Sequence, residues 1–123
     1  SKRWVSLPVS PTAEQLSRVI FVAVQAMLDN TIKVNGDDTA RVHSVILHET
    51  ETGYAQCFRQ DAYDAQMGEI GLKEIVFSPQ AKAEWSDPKM WDKLLKGVKF
   101  VNPEIETQIE AGIGDRPKRG SHR

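Results

Sequence analysis

The sequence predicts an α+β fold, an antiparallel sheet with a long buried N-terminal helix packed on it and a helical C-terminal third. Three observations predict it. Residues 11–29 are apolar at helical spacing over about five turns. Residues 41–49 and 54–60 are rich in β-branched or alternating side chains and flank Glu51-Thr52-Gly53, a turn sequence. Beyond residue 77 a capping residue followed by proline recurs at Ser78-Pro79, Asp87-Pro88 and Asn102-Pro103, each ahead of a stretch able to wind. The order β-α-(β)-β-β-β-α-β-α fits a ferredoxin-like arrangement.

Residues 3–9 read as a first strand, placed at an edge because Pro8 lacks an amide donor. Ser10-Pro11 is the expected start of the long helix. Within it Leu16, Val19, Ile20, Ala23, Val24 and Met27 share a face, which Phe21, Val22, Ala26 and Leu28 widen. Glu14, Arg18, Gln25 and Asp29 then form one thin stripe expected to face water. A helix so apolar is either sandwiched between two layers or half covered by a second chain. Residues 31–34 can extend, and Asn35-Gly36 is a two-residue hairpin signal.

Residues 41–49 suit a strand better than a helix, and residues 54–60 suit its antiparallel partner. Residues 61–72 are broken by Gly68 and Gly71, and residues 73–77 read as a further strand. The helix after Asp87 carries Trp91, Leu94 and Leu95 and closes at Gly97. Residues 98–101 can form a last short strand before a helix capped by Asn102.

A length of 123 residues predicts one domain, with an α+β body over 1–111 and a basic tail over 112–123. Hydrophobic residues make up 40% and charged residues 27%, which argues against wholesale disorder. Cys57 is the single cysteine, so there is no intrachain disulfide and no Cys-rich metal site. No apolar run reaches the roughly 18–20 residues that span a bilayer, and the first ten residues lack the layout of a signal peptide. A cytoplasmic protein that does not touch membranes is expected. The net charge of −1 conceals an asymmetry. Arg116, Lys118, Arg119 and Arg123 against Asp115 give residues 112–123 a net +3, which leaves −4 on the body. A basic tail of this kind suits an acidic partner, protein or nucleic acid.

Side chains able to carry chemistry are sparse. His43 and His48, five apart, fall on opposite faces of a strand and cannot share a metal. Asp61, Asp64 and Glu69 form the densest acidic group and could hold a divalent cation or act as an acid and base pair. A solvated acidic loop explains them as well. Tyr54 and Phe58, with Arg41 and Arg59 near them in sequence, could make a stacking platform for nucleic acid. Cys57 beside Phe58 reads as a small buried hydrophobe rather than a nucleophile. Trp85 is the aromatic most open to an interface role, since Trp91 shares a stripe with Leu94 and Leu95. There is no Gly-rich phosphate loop, no dinucleotide fingerprint and no Ser-His-Asp spacing, so no cofactor is expected.

The sequence-based expectation is therefore a non-enzymatic interaction module, a small accessory or inhibitor-type protein. It would self-associate or dock on a protein partner, using Trp85 and the basic tail. A nucleic-acid-binding protein built on Tyr54, Phe58, Arg41, Arg59 and the tail is one alternative. A small metal-dependent hydrolase or nuclease using Asp61, Asp64 and Glu69 is the other.

Overall fold

The structure, a computed structural model, describes residues 2–32 and 40–101. The fold is mixed α+β, built from two small antiparallel sheets and several helices around one long helix. That helix, α1, spans Ala13–Asp29. Its N-cap is Thr12, whose Oγ1 accepts a hydrogen bond from the Gln15 amide at 3.1 Å. The expected start at Ser10-Pro11 is thus two residues early. Thr12 has a glutamine three residues on, the sequence form of a capping box, and a hydroxyl that satisfies an orphan amide wins the cap position.

The order along the chain places strand β1 (Val5–Ser6) before α1, then the hairpin β2 (Ser44–His48) and β3 (Tyr54–Phe58). A single-turn helix α2 (Arg59–Ala62) follows β3 directly. Two 3₁₀ turns, Ala65–Met67 and Leu72–Glu74, lead to β4 (Val76–Phe77). The helices α3 (Pro79–Ala83) and α4 (Met90–Lys96) end the described part. β2 and β3 pair antiparallel with Ser44 opposite Phe58 and His48 opposite Tyr54. β1 and β4 form the second sheet, with Val5 opposite Phe77.

The pairing of the two middle strands follows the alternation seen in sequence. Each predicted strand is longer than the observed one, however. Residues 54–60 stop pairing at Phe58 because Arg59 starts α2, and residues 72–74 coil before β4 can begin. The Asp87-Pro88 pair makes a turn, with Asp87 Oδ1 accepting from the Lys89 amide at 3.0 Å, and α4 begins only at Met90. Gly97 closes α4 at φ +76°, a left-handed conformation that favours glycine. The Asn35-Gly36 hairpin, the helix after Asn102 and the basic tail lie outside the described residues.

Two apolar clusters pack against α1, one on each flank of its buried surface and joined through Ile70 and Leu72, so much of the helix is covered within its own chain. On one side Val19 packs with Ile75, Trp91 and Leu94. On the other Phe21 and Val22 pack with Cys57 and Ala62. Burying each large apolar side chain is worth about 1.5–3 kcal/mol, so these clusters dominate the stability. The stripe expected to face water does so at its ends, Glu14 and Asp29, but its centre is a correction. Arg18 and Gln25 are buried, whereas the apolar Ile20 and Val24 are exposed on the same helix. The reason is that Arg18 meets carbonyls of residues 61–68 and Gln25 meets the Val42 amide and Arg59, groups that need partners where water does not reach.

Ser78 ties the second sheet to α3. Fully buried, its Oγ accepts from the amides of Ala81 at 3.2 Å and Trp4 at 3.1 Å. The Ser78→Ala variant strands both donors and is expected to lose about 1–3 kcal/mol in urea unfolding. A loss below a few tenths of a kcal/mol would show that water replaces the hydroxyl there.

Candidate functional site

The β2–β3 hairpin has two unlike faces, because successive side chains alternate across a strand. Val45, Leu47, Ala55 and Cys57 form the face toward α1. The opposite face carries Ile46, His48, Tyr54, Gln56 and Phe58, and no described element covers it. Ile46 is 51% exposed, Tyr54 59% and Phe58 38%. The rings of His48 and Tyr54 lie 5.6 Å apart at one end of this face. At the other end His43 meets Phe58 edge to face at 6.0 Å.

The polar stripe of α1 holds this hairpin in place. The buried Gln25 accepts at Oε1 from the Val42 amide at 2.9 Å and from Arg59 Nη2 at 3.1 Å. Arg59 Nη2 also donates to the Val42 carbonyl at 2.9 Å, and its guanidinium carbon sits 5.2 Å from the centre of the Phe21 ring. The entry to β2 and the exit from β3 are therefore locked to one helix position. Between them opens a cleft of about 340 Å³ lined by Arg41, Val42, His43, Phe58, Arg59 and Gln60.

Arg18 organises a second cleft. Its Nε donates to the Asp61 carbonyl at 2.7 Å, and Nη1 donates to Gln15 Oε1 at 2.6 Å and the Met67 carbonyl at 3.1 Å. Nη2 reaches the carbonyls of Ala62, Asp64 and Gly68 at 2.8–3.1 Å. All the hydrogen-bond acceptors named are neutral, so this guanidinium moulds a loop rather than pairing a carboxylate. A cleft of about 270 Å³ lies beside it, bordered by Tyr63, Glu69, Ile70 and Glu74.

The structure separates the acidic residues that sequence grouped. Asp61 Oδ2 accepts from the Phe58 amide at 2.9 Å and caps α2, and Asp64 Oδ1 accepts from the Gln66 amide at 2.9 Å and caps the next turn. Glu69 borders the Arg18 cleft. Among the described residues no group of three or more His, Cys, Asp or Glu side chains could hold a metal ion. Of the proposed platform, Arg41, Phe58 and Arg59 line one cleft, while Tyr54 stands at the far end of the same face. Trp85 lies edge-on to Phe77 at 4.9 Å, opposite Trp91 at 5.2 Å, and so takes part in the core. Cys57 is buried, and burial, with the Asp61 charge adding to it, raises its pKa against the lowering effect of Arg18. A thiol held protonated in this way is a poor nucleophile. Sequence reasoning missed His43 as a cleft residue and Arg18 and Gln25 as buried staples. The proximity of His43 to Arg41 was a usable signal for the first; nothing local marks the other two.

The chain is 24% identical over 98 residues to 6-carboxy-5,6,7,8-tetrahydropterin synthase of Helicobacter pylori (strain J99). The matched stretch covers 79% of this chain and 49% of that protein. The chain thus spans about half the length of the curated relative it matches. No family model matches the chain.

Likeness to a synthase overturns the expectation of a non-enzymatic interaction module, and the nucleic-acid and hydrolase alternatives are set aside with it. The physical basis of the error is clear in α1. Its wide apolar surface suggested docking, but two clusters of the same chain use most of it. Among the described residues no helix is long and apolar enough to cross a membrane.

Proposed function

We propose that this chain is part of an enzyme that acts on a pterin, a flat bicyclic heterocycle, and that the uncovered face of β2–β3 meets the ring. The observation that carries this reading is the 98-residue likeness to a synthase named for a carboxylated tetrahydropterin. The geometry supports it in two respects. Exposed aromatic rings at Tyr54 and Phe58 offer flat surfaces against which a heterocycle can stack. The amino-pyrimidinone edge of a pterin presents two adjacent N–H donors, and a carboxylate is the matching fork. Glu49 follows His48 at the turn end of the hairpin, in phase with Val45 and Leu47, so it would meet the ring's edge from the end of the hairpin rather than from the open face; it is exposed, and its carboxylate makes no hydrogen bond among the described residues.

Self-association and a cytoplasmic setting belong to the same proposal. A second copy would cover Ile46 and the open edges of a two-stranded sheet, which is marginal alone. The lone cysteine suits a reducing compartment.

Titration of the chain with pterin, followed by the fluorescence of the ring, tests the reading. Saturable binding is expected, weakened about tenfold or more in Glu49→Gln through the lost charge-assisted bonds. No saturable binding at millimolar pterin, or binding indifferent to Glu49→Gln and Tyr54→Ala, overturns it.

A further inference from the structure

The geometry points to the cleft between the entry of β2 and the exit of β3 as a binding site for a carboxylate carried on a flat ring. It rests on the pterin reading only for the choice of carboxylate, since the relative is named for a 6-carboxy compound. The anion preference comes from the cleft itself.

Among the described residues two guanidinium groups, an imidazole and an amide line it, and no acidic side chain does. The acids nearest by hydrogen bonding are already engaged. Asp61 takes the Phe58 amide, and Asp29 Oδ1 takes Gln25 Nε2 at 2.9 Å. Arg59 is immobilised by two neutral acceptors and the Phe21 ring, which fix its position without cancelling its charge. Arg41 is exposed, and its guanidinium has no hydrogen-bond or ion-pair partner among the described residues.

One cation is therefore pre-positioned and the other is free to close on a ligand. A planar guanidinium fork matches a carboxylate with two parallel hydrogen bonds. Phe58 supplies the ring surface, with His43 braced edge-on against it. A volume of about 340 Å³ suits a small planar acid and lies within the usual range of small-molecule clefts.

The site is distinct from the Glu49 and Tyr54 end of the hairpin. Phe58 and Tyr54 are four residues apart on β3, roughly 13 Å at the rise of a strand.

Amide-detected NMR on the full chain, with benzoate, benzamide and inorganic phosphate as probes, tests the proposal. Benzoate is expected to shift the amides of residues 41–43 and 58–60 and to saturate. Benzamide, with the same ring and no charge, should bind at least about tenfold more weakly, as should benzoate to Arg41→Ala. Arg41→Lys, which keeps the charge and loses the fork, should fall between. Arg41 is exposed, so the variant spectra should otherwise overlay on the parent.

Equal binding of benzoate and benzamide overturns the proposal, as does indifference to Arg41→Ala or a shift pattern outside the cleft. Phosphate binding as tightly as benzoate would make the site a general anion site and overturn the assignment to a ring carboxylate. Pterin without a carboxylate tests the Glu49 end alone. Its failure with benzoate retained removes the pterin reading and leaves this site, and the reverse result removes only this site.

Discussion

Replacing Arg18 by methionine is expected to remove about 3–5 kcal/mol of stability, a large share of what a domain of this size possesses. The magnitude follows from what the guanidinium leaves behind. Arg18 is 1% exposed and satisfies the carbonyls of Asp61, Ala62, Asp64, Met67 and Gly68 together with Gln15 Oε1. Methionine has similar length and no donors, so these acceptors lose their partner while the chain that carries them stays in place. Each orphaned acceptor costs about 1–3 kcal/mol where water cannot reach it, and partial hydration keeps the total below the sum. Removal of the buried charge itself relieves a desolvation cost, which also limits the loss. Arg18→Lys restores the charge and up to three donors but not the fork, so it should recover only part of the stability. Urea unfolding of the three proteins checks this. A methionine variant within about 1 kcal/mol of the parent would mean that the 61–68 segment needs no internal partner, and the account of the buried stripe would fall.

Trp91 carries the second large effect. The indole is 2% exposed and packs with Val19, Ile75 and Leu94, with the Phe77 ring edge-on at 5.2 Å. Its Nε1 donates to the Ile75 carbonyl at 3.1 Å. Trp91→Ala creates a large cavity where α4 meets α1, and a loss of about 3–5 kcal/mol is expected. Trp91→Phe keeps most of the apolar contact but orphans the Ile75 carbonyl, so its loss should be about 1–3 kcal/mol. Denaturant midpoints at constant slope separate the two. If the phenylalanine variant is as unstable as the alanine one, the hydrogen bond rather than the packing anchors α4.

Both residues bear on the proposed site, although neither borders the face of β2–β3. Arg18 shapes the segment that follows α2, and α2 begins at Arg59, a wall of the basic cleft. A partial loosening of that segment is expected to weaken ligand binding as well as stability. Trp91 belongs to the other apolar cluster and should change stability with little effect on the cleft of folded molecules.

Local physics was legible in the sequence wherever an element's partners are close along the chain. The helix ending at Asp29, the hairpin of 44–48 with 54–58, the Ser78-Pro79 start and the Gly97 stop each follow from spacing, capping or φ preference within a few residues. Cys57 was legible for a similar reason, since a small residue on the inward phase of a strand is read correctly as buried.

The side of α1 that faces water was decided by tertiary structure. Periodicity finds polar residues in a line but cannot say whether they meet solvent or polar groups of chain distant in sequence. Arg18 and Gln25 meet the chain of 61–68 and of 42 and 59, and so turn inward while Ile20 and Val24 turn out. The cleft has the same origin. Arg41 and Arg59 are eighteen residues apart in sequence, and a hairpin register, not a motif, makes them neighbours. Composition and spacing can carry a strand or a cap; long-range closure, in which a buried donor must find its acceptor, is set only when the whole chain has packed.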